Sequence, residues 1–226
     1  MPTFAKKTLN FYKSLQTPAK LPSNIETMNP YVEALVMRYV KEFFDKFFND
    51  NKKRVFVFGI NPGRFGAGLT GVTFTDPVAL ENFCKIKNDM DKRREVSSDF
   101  IYRFIEHWGG PKKFYRHFFL TAVSPLGFTR NRINYNYYDD KELFKTLRPF
   151  IVQTLHDQLA IGARRDVAIV LGTGKNQEAF NALNEEYRFF KKVFFLEHPR
   201  FIMQYRRKRI AEYLDKYRRV FSSISL

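Results

Sequence analysis

Apolar positions along the chain fall into two alternating rhythms. Val32, Leu35, Val36, Tyr39, Phe43, Phe44 and Phe47 recur at the spacing of one helical face. The segment opened by Asn29-Pro30 is therefore predicted as a long amphipathic helix closing near Asn49. Residues 54–59 form an almost continuous apolar run bounded by charge and glycine, the pattern of a strand buried on both faces. Similar runs recur at residues 118–122, 167–171 and 193–196. Helical spacing returns after them: from Asp139, which with Glu142 forms a capping box, to about Ile161, then over residues 174–183 and 201–217. This alternation predicts an α/β fold, a three-layer α/β/α arrangement around a short, about four-stranded parallel sheet. Ligands of such sheets bind beyond the carboxyl ends of the strands. The unusual residues all fall there: Asn61 after the first strand, Ser124-Pro125 after the second, Gly172-Thr173-Gly174 after the third and His198 after the fourth.

Length and composition narrow the class. The 226 residues, 44% of them hydrophobic, show no internal repeat. Their one charge-dense stretch, residues 85–98, is too short for a linker, so residues 1–226 are read as a single domain. A net charge of +16 and a pI near 9.9 favour polyanionic partners. No apolar run approaches the roughly 20 residues of a membrane span, so nucleic acid is preferred to a membrane surface. The amino-terminal residues lack an apolar signal core, and a cytoplasmic location is expected, nucleoid-associated in a bacterium. Cys84 is the only cysteine. It supports no internal disulfide, four-cysteine zinc site or iron–sulfur cluster, and neither metal nor cofactor is expected.

The glycine-rich loop after the first strand admits two readings. Gly66, Gly68 and Gly71 match a dinucleotide fingerprint formally, which would make the chain a nucleotide-binding oxidoreductase. That fingerprint needs its first glycine at the strand end, whereas Gly66 lies seven positions beyond Gly59. Residues 59–74, Gly-Ile-Asn-Pro-Gly-Arg-Phe-Gly-Ala-Gly-Leu-Thr-Gly-Val-Thr-Phe, read differently as a unit. They resemble the first motif of the single-strand-selective monofunctional uracil-DNA glycosylases, the SMUG family, which runs Gly-Met-Asn-Pro-Gly-Pro-Phe-Gly and then Thr-Gly-Val-Pro-Phe. The family's second motif begins His-Pro and is similar to His198-Pro199-Arg200. The resemblance implies a uracil-DNA glycosylase-like fold and removal of uracil or a modified uracil from DNA in base excision repair.

Glycosidic cleavage builds positive charge on the sugar and negative charge on the departing base. Asn61 can hydrogen-bond a water, but its amide cannot accept a proton, so its chemistry is water positioning, as the resemblance also implies. His198 can donate to a base carbonyl and steady the leaving anion. By the same resemblance Phe74 stacks on the extruded base, and Ile60, Gly63, Phe65 and Ala67 belong to the base pocket with Ala122 and Ser124. Each has a plainer reading: Asn61 as a turn residue before proline, His198 as a strand-end histidine, Phe74 as core.

Extruding a base leaves a gap that such enzymes fill with a side chain. Arg200, Phe201 and Ile202 follow His198 and are the candidates, with Arg206 and the basic residues after it suited to phosphates. Gly172-Thr173-Gly174-Lys175 fails the phosphate-loop pattern, because Ile169 and Asn176 occupy key positions. It is read as a strand-to-helix turn at which Lys175 meets one DNA phosphate. The family pattern breaks at Ala122, where alignment through Ser124-Pro125-Leu126 expects a pyrimidine-reading asparagine. Thr121, Ser124, Asn131 or Asn134 would have to substitute. The expected protein is a monomeric, monofunctional glycosylase acting on single- or double-stranded DNA. A dinucleotide-dependent oxidoreductase and a catalytically silent nucleic-acid-binding domain are the alternatives.

Overall fold

The strand at residues 54–59 lies inside the main sheet of the computed structural model, which describes residues 1–18 and 20–225. In chain order the elements are α1 (Phe4–Ser14), β1 (Ile25–Met28), a 3-10 turn (Pro30–Val32), α2 (Ala34–Phe48), β2 (Arg54–Gly59), α3 (Ala67–Thr70), α4 (Pro77–Asn82), α5 (Val96–Trp108) and α6 (Pro111–Tyr115). They continue with β3 (Phe118–Ala122), β4 (Gly127–Arg130), β5 (Ile133–Tyr135), α7 (Lys141–Gly162), β6 (Ala163–Leu171) and α8 (Lys175–Tyr187). The chain closes with β7 (Lys192–Leu196), α9 (Pro199–Tyr205), a second 3-10 turn (Arg207–Arg209) and α10 (Ile210–Ser222). Strands β3, β2, β6 and β7 pair in that order, all parallel, and helices flank the sheet as the alternating pattern predicts. Every residue of β2 and β3 is buried, which explains their unbroken apolar runs. Helix α1 packs on α2 and α7, while α5 packs on α9 and α10. No helix among the described residues is long and apolar enough to cross a membrane.

Several boundaries differ from the sequence reading for identifiable reasons. Asn29 caps a 3-10 turn by accepting from Tyr31 N–H at 3.1 Å, and α2 starts only at Ala34. Val32 is left outside the helical register and 72% exposed. The cap of α7 is Asp140, which accepts from the N–H groups of Glu142 and Leu143. Asp139 instead closes the preceding turn by accepting from Asn136 N–H at 2.8 Å, so the expected box with Glu142 does not form. The helix expected over residues 201–217 is two helices. Pro199 opens α9, and the chain turns at Arg206, where four consecutive basic residues offer no apolar side chain to carry a buried face onward. The segment after β3 forms the hairpin of β4 and β5, which joins β1 in a three-stranded antiparallel sheet. Asn131 and Arg132, both at positive φ, make its tight turn.

Beneath the start of β2 lies a fully buried arginine. Arg54 donates through both terminal nitrogens to Asp50 at 2.9 Å and through Nε to Tyr115 O at 2.8 Å. Its guanidinium lies 4.7 Å from the ring centres of both Phe4 and Phe48, which ties α1 and α2 to the sheet. Partial burial works against ionisation of Asp50, but hydrogen bonds from Arg54 and Lys52 N–H hold its carboxyl below the usual range. Asp50→Asn should cost about 2 kcal/mol at pH 7, below the roughly 3–5 kcal/mol of a wholly buried pair because Asp50 is partly exposed. A depressed carboxyl stabilises above its unfolded value, near pH 4, and the gain disappears as pH falls through the folded value. Urea denaturation of both proteins at pH 7 and pH 3 should therefore show the difference shrinking at the lower pH.

Candidate active site

Parallel pairing sets Gly59 beside Ala122 and Leu171 beside Leu196, so the loops that follow emerge along one edge of the sheet. A cavity of about 130 Å³ opens there. That is about ten times the roughly 10–15 Å³ that admits one water. Phe74 forms one wall in the left-handed conformation, with φ of 56°. The turn before it is held by Thr70, whose hydroxyl accepts from Val72 N–H and donates to Thr75 O. The Phe74 ring lies directly over Gly59, where a Cβ would come within 2.7 Å of it. It stands 5.7 Å from the His198 ring.

The Asn61 amide faces the same cavity but is already clasped by the hairpin side. Its Nδ2 donates to Tyr135 O at 3.2 Å and, at 3.5 Å, to Pro62 O, while Oδ1 accepts from Tyr137 N–H at 3.2 Å. What remains is one lone pair on Oδ1, enough to accept from a water. His198 caps α9, its Nδ1 accepting from Arg200 N–H at 3.2 Å. The ring proton therefore sits on Nε2. Burial first, and the Arg200 charge second, pull the imidazole down to about 4, so it is a neutral donor at pH 7.

Of the residues read from sequence, the structure gathers Asn61, His198, Ile60, Gly63, Ala67, Phe74, Ala122 and Arg200 around this cavity. Others lie elsewhere. Ser124 is fully buried with its hydroxyl donating to Leu126 O at 2.8 Å, and Thr121 spends its hydroxyl on Gln158. Phe65 sits on the outer rim beneath Arg64 and Arg93. Ile202 is part of the core and unavailable as a wedge, whereas Phe201 is 39% exposed with the Arg206 guanidinium 5.3 Å from its ring. Lys175 is exposed at the start of α8, away from the cavity.

Ala122 contributes no polar side chain, and its carbonyl already accepts from Gln158 Nε2 at 3.2 Å. Among the four possible substitutes only Asn134 lines the cavity; its Oδ1 accepts from Arg64 N–H, which leaves Nδ2 free to donate. Asn136 lines it too. Sequence reasoning missed Glu95, a cavity-lining carboxyl pushed up to about 7 by burial and by Asp76, with Arg200 opposing. It stands in the charge-dense stretch that resembles solvated surface, and no local spacing marks it. Cys84 is buried, its thiol pushed up to about 12 by desolvation, and it is no nucleophile.

The loop glycines face protein and leave no space for a dinucleotide. A side chain on Gly68 would meet Gly63 O at 2.7 Å, one on Gly71 would meet Val40 and Val36, and one on Gly66 would overlap the Glu95 carboxyl. The oxidoreductase reading loses its binding loop.

A parallel α/β sheet with this cavity at its carboxyl edge agrees with the sequence family: residues 46–222 match the Uracil DNA glycosylase superfamily, and the chain belongs to that family. It is a DNA glycosylase, a hydrolase acting on N-glycosyl bonds. Among solved structures it is similar to the wild-type SMUG2 of Pedobacter heparinus, at 44% identity and a TM-score of 0.96, over 99% of this chain and 98% of that one. No curated protein sequence matches it. The geometry of His198 makes a measurable claim: nitrogen-detected NMR should find its ring neutral, with the proton on Nε2, from pH 5 to pH 9. A titration midpoint near the usual 6.5 would contradict it.

Proposed function

We propose that the cavity takes a uracil, or a uracil modified on its ring, extruded from DNA, and that Asn61 and His198 carry out its hydrolysis. One observation carries this reading: a water-accepting amide oxygen and a neutral imidazole donor enter a single small cavity from the ends of β2 and β7, with an aromatic wall between them. Phe74 stacks on the base. The free lone pair of Asn61 Oδ1 orients a water toward the sugar carbon as the bond to the base lengthens. The Nε2–H of His198 donates to a carbonyl oxygen of the base and stabilises the anion that leaves, an effect worth about 3 kcal/mol. A neutral donor suits this step, because it stabilises a developing negative charge without first forming a salt pair with it. Asn134 Nδ2 supplies base recognition in place of the side chain that Ala122 lacks.

No lysine lines the cavity among the described residues, which supports a monofunctional enzyme that leaves an abasic site. Arg200 at the mouth and the exposed Phe201 are placed to fill the gap in the DNA. Arg206 and, further out, Lys175 meet phosphates. The likeness to SMUG2 supports the same substrate class. The protein acts as a monomer, in the cytoplasm, on damaged bases in single- or double-stranded DNA.

A uracil-containing single-stranded oligonucleotide, incubated with protein and then treated with alkali, should be cut at the uracil. Asn61→Ala should slow cutting at least about tenfold, and His198→Ala on the order of 100-fold. Failure of the wild-type protein to release uracil, hydroxymethyluracil or any other damaged base would end this reading.

A further inference from the structure

Hydrolysis of an N-glycosidic bond leaves a proton to be placed when water adds to the sugar carbon. Among the groups lining the cavity, most cannot take it. The Asn61 amide is not basic, Nδ1 of His198 is occupied by Arg200 N–H while Nε2 already carries a proton, and the Arg200 guanidinium offers donors only. Glu95 is the only carboxylate lining the cavity among the described residues. Its position is built. Glu95 N–H donates to Asp76 Oδ2 at 2.8 Å, Asp76 Oδ1 caps α4 through Ala79 N–H at 2.7 Å, and Ser98 Oγ accepts from Asp76 N–H at 3.2 Å. Glu95 occupies the N-cap position of α5, where a carboxylate ordinarily turns back onto the first helical N–H groups, yet its side chain makes no capping bond. It lies instead over the loop that carries Asn61. A Cβ on Gly63 would stand 2.5 Å from Oε1, and one on Gly66 would overlap Oε2. The carboxylate has no hydrogen bond or ion pair of its own within the protein among the described residues.

We propose that Glu95 is a catalytic residue, the general base that receives the proton of the water held by Asn61. The water oxygen bonds to the anomeric carbon of the sugar, and the bond from that carbon to the base breaks. Its electron pair departs on the base nitrogen, steadied by His198. The proton released by the water passes to the Glu95 carboxylate and then to the base anion, which leaves as the neutral base and restores the carboxylate. Asn61 positions and Glu95 deprotonates, two tasks that one aspartate in the place of Asn61 would combine.

The charged and titratable groups around Glu95 are Asp76 before α4, Arg200 and the neutral His198 at the start of α9, and Arg64 and Arg94 at the outer mouth. Burial and Asp76 raise the carboxyl to about 7, Arg200 opposing, so it is a base matched to neutral pH. The test rests on the glycosylase reading and uses single-turnover release of uracil from an oligonucleotide between pH 5 and pH 9. The wild-type rate should rise about tenfold per pH unit and level off above about pH 7. Glu95→Gln should lose that limb and run on the order of 100-fold slower on the plateau, with thermal stability and oligonucleotide affinity unchanged. A flat wild-type profile overturns the assignment without any variant, as does Glu95→Gln within about threefold of wild type at pH 8 or retaining the same limb. Asn61→Ala, assayed alongside, separates the two claims: dependence on Asn61 without dependence on Glu95 removes only Glu95, while release that depends on neither strikes the proposed assignment of this cavity as the reacting site.

Discussion

The clasp between Asn61 and the hairpin side sets the character of the whole site. By spending both amide hydrogens and one lone pair on the backbone of Tyr135 and Tyr137 and on Pro62, the loop after β2 is fastened to a second sheet. A side chain committed in this way cannot swing to meet several partners. It presents one oxygen lone pair at a fixed direction, which suits holding a water and little else. The small antiparallel sheet thus immobilises a cavity-lining amide of the large parallel one, and the register of β4 against β1 and β5 reaches that amide through a few hydrogen bonds.

Electrostatics in the cavity follow from burial more than from the strongly basic surface. Desolvation holds His198 neutral and raises Glu95, while Arg200 pushes both pKa values downward. One cation therefore favours the neutral imidazole and the ionised carboxylate together, the protonation pattern that donation to a base and acceptance from a water require. The surplus positive charge of the chain as a whole has another effect, a general attraction for polyanions.

Much of this was legible in the chain. Continuous apolar runs located all four strands of the parallel sheet: β2, β3 and the end of β6 are buried on both faces and admit little else, while the partly exposed edge strand β7 keeps an apolar run against β6. Asn61, Phe74 and His198, which the fold brings to one cavity, could be named because each stands in a short local motif. The rest depended on long-range contacts. The antiparallel sheet is made of three- and four-residue strands whose pattern is too short to read, and α9 ends where basic residues deprive it of a buried face. Glu95 was invisible because its importance comes from two glycines of a distant loop that make room for it. Asn134 could be named as one substitute among four, but only the hairpin brings it to the cavity.

The shared space of Gly66 and Glu95 has a consequence for how such enzymes diverge. A side chain gained at residue 66 displaces the carboxyl, and a loss of the carboxyl relieves the demand for glycine. The two positions are thus bound into one heritable unit although far apart in sequence. Relatives should divide into those that keep both and those that have released both, and a glycine in that loop becomes a marker of how its bearer disposes of a proton.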